Sequence, residues 1–200
     1  MNIRSFFSVL LLGSALLVSA QQSAETAFSK SYAFEYDTQY GKAIAALQDL
    51  NLDNYQVNLR LGWLYYLNKD YIHSEIHYKK AVKLEPGSVE ARFGLVMPMS
   101  AMGNWNNVIA VYVEILKIDP YNSIANYRTA SIYYSRKDYA NASVYLAKVI
   151  KMYPFDYDGN LLYGKILMAK GMNADARKYF EKALQYNPQS EEAKAALKKL

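Results

Sequence analysis

Apolar residues recur with a helical period along most of the chain after residue 54. The apolar segments have the length of a helix and come in pairs, and a short polar turn such as Asn68-Lys69-Asp70 or Arg136-Lys137-Asp138 separates the two members of a pair. A period of 3.6 residues that is interrupted by turn residues is typical of amphipathic helices joined in hairpins. The pattern therefore predicts an all-α protein.

A step of 34 residues relates the predicted hairpins to one another. Four of the five prolines follow this step, namely Pro86, Pro120, Pro154 and Pro188. The same step gives a column of small residues in the first helix, at Gly62, Ala130 and Gly164, and a column of large apolar residues in the second helix, at Tyr78, Tyr112, Leu146 and Phe180. We expect the second helix of a hairpin to approach the first closely at the small residues.

These columns resemble the tetratricopeptide repeat. The landmarks of one unit are Leu61-Gly62, Tyr65, Tyr71, Ser74, Tyr78, Ala81 and Pro86, and those of another are Tyr163-Gly164, Leu167, Gly171, Ala176, Phe180, Ala183 and Pro188. The resemblance implies full repeats at residues 55–88, 89–122, 123–156 and 157–190. It implies an α-solenoid, a right-handed superhelix of four to five hairpins with a concave groove. Residues 21–54 are interpreted as a degenerate first hairpin, and residues 191–200 as a capping helix.

Residues 1–20 have the pattern of a secretory signal peptide. Arg4 precedes an apolar run from Phe6 to Val18, and Val18-Ser19-Ala20 has small residues where a signal peptidase cleaves. As a helix the run is too short for the roughly 30 Å hydrocarbon core of a bilayer. We therefore expect cleavage after Ala20, no transmembrane span in the mature chain, and a location in a bacterial periplasm or outside the cell.

Composition and motifs exclude several classes of function. The chain has no cysteine and therefore neither disulfides nor thiolate chemistry. Its 23 basic and 18 acidic residues are spread along the sequence, so the net charge of +5 does not indicate nucleic acid as a partner. We find no Gly-rich phosphate loop, nucleophile elbow or paired-acid motif. The sequence thus predicts a protein that is not an enzyme and that has no cofactor.

His73 and His77 are the only candidates for metal ligands, and they are weak ones. They lie one helical turn apart, with Asp70 three residues before the first. Two imidazoles at this spacing can hold a divalent cation. The alternative is an exposed polar helix surface on which Asp70 caps the helix.

The resemblance also implies where a partner binds. In tetratricopeptide proteins a second stripe along the first helix of each repeat lines the groove, and here that stripe and its edge contain the candidate residues Trp63, Tyr66, Phe93, Met97, Tyr127, Arg128 and Tyr134. Aromatic and arginine side chains combine a large contact area with few rotors. The prediction is a scaffold or adaptor of the bacterial envelope that binds a peptide or helix of another protein. The alternatives are rings that merely pack between repeats, and a soluble glycan-binding solenoid that stacks the rings on sugars.

Overall fold

The computed structural model describes residues 23–200, which form eleven α-helices and no strand. One compact unit, ending at Met102, contains α1 (residues 23–36), α2 (Tyr40–Ala45), α3 (Tyr55–Leu67), α4 (Tyr71–Leu84) and α5 (Val89–Ala101). A second unit, Gly103–Leu200, contains α6 (Trp105–Ile118), α7 (Ser123–Ser135), α8 (Tyr139–Met152), α9 (Tyr157–Ala169), α10 (Asn173–Tyr186) and α11 (Glu191–Leu197). The predicted all-α class is confirmed.

The helix pairs α3–α4, α7–α8 and α9–α10 lie within the predicted repeats 55–88, 123–156 and 157–190. The segment predicted as a first hairpin contains α1 and α2, and the segment predicted as a cap contains α11. The predicted signal peptide, residues 1–20, lies outside the described residues. From residue 23 onwards, no helix has both the length and the apolar character that a membrane crossing requires.

The 34-residue step also governs where helices begin and end. The side chains of five residues at this step accept a hydrogen bond from the backbone N–H three residues further on, and these N-caps are Asn54, Ser88, Asn122, Asp156 and Ser190. Each cap satisfies one of the N–H groups that the first turn of a helix leaves unpaired. Residues at the same step have a positive φ just after a first helix, at Lys69, Gly103, Lys137 and Gly171. The turn conformation is thus repeated even where lysine replaces glycine.

The close approach expected at Gly62 and Gly164 is present. A Cβ added at Gly62 would lie 2.8 Å from Cγ of Tyr78, and one added at Gly164 would lie 2.8 Å from Cε1 of Phe180. The large ring of the second helix therefore rests directly on the backbone of the first helix. In the first unit the ring of Tyr78 also meets Gly94 of α5, which belongs to no predicted small-residue column.

A column of buried polar residues links the first helix of three hairpins, by hydrogen bonds, to the turn that precedes it. Asn58, Asn126 and Asn160 are fully buried, and each amide donates to the backbone carbonyls four and six residues earlier. Arg92 occupies the same step and donates to the carbonyl of Ser88. These bonds satisfy carbonyls at the junction between hairpins. The sequence prediction missed this column, although a polar residue repeated every 34 positions within apolar segments is a signal that reveals it.

Candidate functional site

A cavity of about 470 Å³ lies between the helices of the first unit. We call it the aromatic cavity, because five rings line it: Phe28, Tyr32, Trp63, Tyr78 and Phe93. Aliphatic and sulfur-containing side chains complete the apolar wall at Leu59 and Met97, and the polar lining consists of Gln56, Arg60 and Glu90. The lining comes from α1, α3, α4 and α5, so the cavity depends on the packing of four helices.

Three of the seven predicted partner-binding residues, Trp63, Phe93 and Met97, line the aromatic cavity. Tyr66 lies beside it, with its ring centroid 6.0 Å from that of Trp63 and the two rings nearly parallel. Tyr66 also contacts Tyr71 of α4, at 5.7 Å between centroids. Its ring thus packs inside the α3–α4 hairpin as well as against Trp63.

Arg60 and Glu35 form an ion pair in the wall of the aromatic cavity. The side chain of Arg60 is only 7% exposed, and its Nη1 contacts Oε2 of Glu35 on α1. The guanidinium lies 3.8 Å from the ring centroid of Tyr32, which is a cation–π contact. The other carboxylate oxygen of Glu35 accepts a hydrogen bond of 2.6 Å from Nε1 of Trp63. Glu35 therefore neutralises a buried charge and also orients a ring of the cavity.

We expect Glu35→Gln to destabilise the first unit by about 2 kcal/mol, because a buried guanidinium loses its counter-ion while Glu35 itself is partly exposed. Tryptophan emission should shift at the same time, since the amide is a weaker acceptor for the indole N–H. Urea denaturation followed by circular dichroism and by fluorescence measures both effects. Asp37→Asn, at an exposed carboxylate just after α1, is the control. Equal stability of the two variants would contradict the role assigned to the ion pair.

Two other candidates, Tyr127 and Arg128, line a different cavity of about 420 Å³ in the second unit. Ile124, Val149 and Tyr153 form its apolar part, and Asp156 and Asp158 supply carboxylates. Burial raises the pKa of Tyr127, and the charge of Asp158 raises that pKa further. This tyrosine is therefore a neutral hydroxyl at physiological pH.

Tyr134 does not line either of these cavities. Its ring packs on Tyr139, at 5.8 Å between centroids, and it covers the core around Ala130, Ala142 and Leu146. The geometry repeats that of Tyr66 and Tyr71 in the first unit. The candidate residues thus form one set in each unit, and in each set one tyrosine has a packing role within its hairpin.

His73 and His77 both stack on the ring of Tyr65, with centroid distances of 5.2 Å and 5.3 Å. Nδ1 of His73 lies 2.7 Å from Oδ2 of Asp70, whose other oxygen caps α4, and Nδ1 of His77 lies 3.0 Å from Oδ1 of Asn58. Burial lowers the pKa of His77, and the neighbouring His73 and Lys80 lower it further. Residues 23–200 contain no group of three His, Cys, Asp or Glu side chains placed to hold a metal ion. Both imidazoles are engaged in contacts within the α3–α4 hairpin.

The sequence matches models of the tetratricopeptide repeat over residues 55–88 and 133–200, together just over half of the chain. The crystal structure of MamA has a TM-score of 0.73 and 20% identity, with coverage of 84% of this chain and 94% of MamA. A tetratricopeptide repeat protein from Parabacteroides merdae has a TM-score of 0.75 and 17% identity, with coverage of 88% and 71%. YrrB, a TPR protein with an unusual peptide-binding site, has a TM-score of 0.72 and 14% identity, with coverage of 93% and 97%.

No curated protein matches the sequence. The identities to the solved structures are low, so these structures bear on the fold alone. They confirm the predicted α-solenoid class of paired helices.

Proposed function

Because the chain belongs to the tetratricopeptide repeat family, whose members are typically non-enzymatic protein-interaction scaffolds, we propose that it binds a peptide or helical segment of a partner protein in the aromatic cavity. The observation that carries the proposal is the lining of that cavity, where Trp63, Phe93 and Met97 lie on two neighbouring first helices. A concave site of a few hundred Å³ with apolar walls and few polar groups suits the side chains of a docked segment.

The polar groups of the aromatic cavity favour a peptide over a sugar. Recognition of sugar hydroxyls needs several amide or acid groups around the stacking ring. Here Trp63 already donates its N–H to Glu35, and Arg60 is paired with the same carboxylate. Gln56 and Glu90 remain as exposed polar groups of the lining. The peptide-binding site of YrrB, on a similar fold, is consistent with this choice.

We also propose that the protein acts after export, as an adaptor of the bacterial envelope. The support is the pattern of residues 1–20, in which a basic start, an apolar run and a small-residue cleavage site follow one another. A scaffold in that compartment meets exported or membrane-anchored partners. The protein recovered from the envelope fraction should therefore begin at Gln21.

The experiment is capture of partners from an envelope extract by the tagged protein and by its Trp63→Ala/Phe93→Ala variant. We expect the variant to recover bound protein at least about tenfold less well, because two large rings of the cavity are lost. Phe155→Ala is the matched control, since this ring is 74% exposed and lies in the second unit. A photo-crosslinker at position 56 should label the same partner.

Equal recovery of partner proteins by the double variant and by wild type would contradict the proposal. Selective retention of glycan strands, with no captured protein, would instead favour the glycan-binding alternative. Circular dichroism of each variant before capture establishes that a loss of binding does not result from unfolding. The control and the double variant must therefore give the same helical signal.

A further inference from the structure

We propose that the aromatic cavity selects a basic side chain, lysine or arginine, of the partner segment, with its charge beside Glu90 and its alkyl stem along the rings. The inference rests on the proposed function, since it specifies the chemistry of the segment that the cavity holds. Three observations carry it: the charges that line the cavity, the rings that line it, and the unpaired state of one carboxylate.

Among the residues that the structure describes, two charged side chains line the aromatic cavity, and one of them is already neutralised. Arg60 is buried, paired with Glu35, and covered by the ring of Tyr32. Nε and Nη2 of Arg60 have no hydrogen-bond partner, but both atoms are buried, and the carboxylate of Glu35 cancels the charge of the guanidinium. An acidic ligand would therefore gain little from Arg60.

The other charged lining residue, Glu90, makes no ion pair among the described residues. It is exposed, and its Oε2 accepts a long hydrogen bond of 3.4 Å from the hydroxyl of Tyr55, a neutral group. The same tyrosine oxygen lies closer to Oγ of Ser88, at 2.8 Å. The field of Glu90 reaches into the cavity, since its charge adds to burial in raising the pKa of Tyr78. With the charge of Arg60 cancelled by Glu35, the negative charge of Glu90 is left at the cavity.

The aromatic rings also favour a positively charged ligand. Aromatic faces attract ammonium and guanidinium groups through their quadrupole, and tryptophan does so most strongly. The stems of lysine and arginine are apolar and pack on aliphatic surface such as that of Leu59 and Met97. A purely apolar ligand would fill the same space, but it would remove water from Glu90 without giving the carboxylate a partner. A basic side chain gives the carboxylate of Glu90 an ion-pair partner and packs its alkyl stem against the apolar wall.

The test is selection from a display library of random dodecapeptides on the full chain, on Glu90→Gln and on Trp63→Ala. We expect wild type to enrich peptides with lysine or arginine among apolar residues. Glu90→Gln should still enrich apolar peptides but without the basic residue. Glu181→Gln, at an exposed carboxylate of the second unit, should select as wild type does.

The best peptide is then compared with a version in which norleucine replaces its basic residue. Trp105→Phe leaves Trp63 as the one tryptophan, so its emission reports binding in the cavity directly. We expect the norleucine peptide to bind wild type about tenfold more weakly, from one cation–π contact and one ion pair. In the Glu90→Gln background the difference should fall to about threefold or less, because the basic peptide loses its ion pair and the norleucine peptide no longer removes water from a carboxylate.

The outcomes separate a failure of the inference from a failure of the proposed function. Enrichment of apolar or acidic peptides by wild type, without basic residues, would overturn the inference and leave the proposed function standing. An unchanged basic preference in Glu90→Gln would also overturn it. If wild type selects nothing that Trp63→Ala does not select, the aromatic cavity does not bind peptides, and the proposed function fails together with the inference.

Discussion

Replacing Phe180 by alanine destabilises the second unit by about 4 kcal/mol, the largest effect that we expect from a single side chain. The ring is 0% exposed and lies at the centre of a core that includes Leu161, Leu167 and Ala176. On one side it rests on the backbone of Gly164. Glycine has no side chain that could move into the space, so most of the cavity left by the ring persists.

Urea denaturation followed by far-UV circular dichroism measures this loss. Phe155→Ala is the control, because it removes the same side chain from a position that is 74% exposed, and it should change stability by less than about 0.5 kcal/mol. Hydrogen exchange of the α9 and α10 amides should increase in Phe180→Ala alone. Two variants of similar stability would refute the packing of α10 on α9 described here.

Adding a methyl group at Gly94 destabilises the first unit by about 3 kcal/mol. The new Cβ would lie 2.1 Å from Cε1 and 2.5 Å from Cδ1 of Tyr78. Tyr78 is 3% exposed and its ring is held between Gly94 and Gly62, so it can yield only towards the aromatic cavity, at the cost of its contact with Gly62. The clash exceeds the gain of roughly 1 kcal/mol that alanine brings to a helix interior. Because Gly94 and Tyr78 both line the aromatic cavity, binding should weaken as well.

Thermal and urea denaturation of Gly94→Ala and Gly87→Ala test this expectation. An added Cβ at Gly87 meets nothing within 4 Å, so that variant should match wild type. In a Tyr78→Leu background, Gly94→Ala should cost less than about 1 kcal/mol, since the smaller side chain makes room. The same loss in both backgrounds would show that the Tyr78 ring is not the cause.

The hairpins could be predicted because each one is encoded locally. Helical period, turn residues and the proline after each second helix all lie within a single 34-residue unit, and the family match at residues 55–88 coincides with a predicted repeat. Small residues at Gly62 and Gly164 likewise predicted close approach, since the large residues that meet them form a column of their own. Local signals of this kind can be recognised without knowing how segments distant in sequence pack together.

The candidate site could be predicted only in part. Trp63, Phe93 and Met97 share a stripe on their helices and line one cavity, but Tyr134 packs inside its hairpin. Gly94 is a glycine outside the expected column, and nothing in the sequence indicates that the ring of Tyr78 reaches it. The histidines were compatible with a metal site or with a helix surface, and the contacts with Tyr65 and Asn58 were not predictable from their spacing.

The sequence by itself determined the helical class, the hairpin unit and the family, because these follow from patterns repeated within a few turns of chain. Only the tertiary structure decided which charged side chains have a partner of opposite charge and which do not. Within residues 23–200, Arg60 contacts Glu35 and Glu90 contacts no basic side chain, and both facts depend on how helices distant in sequence pack together. Burial and pairing of polar groups are properties of the packed units, so the chemistry of the cavity appears only there.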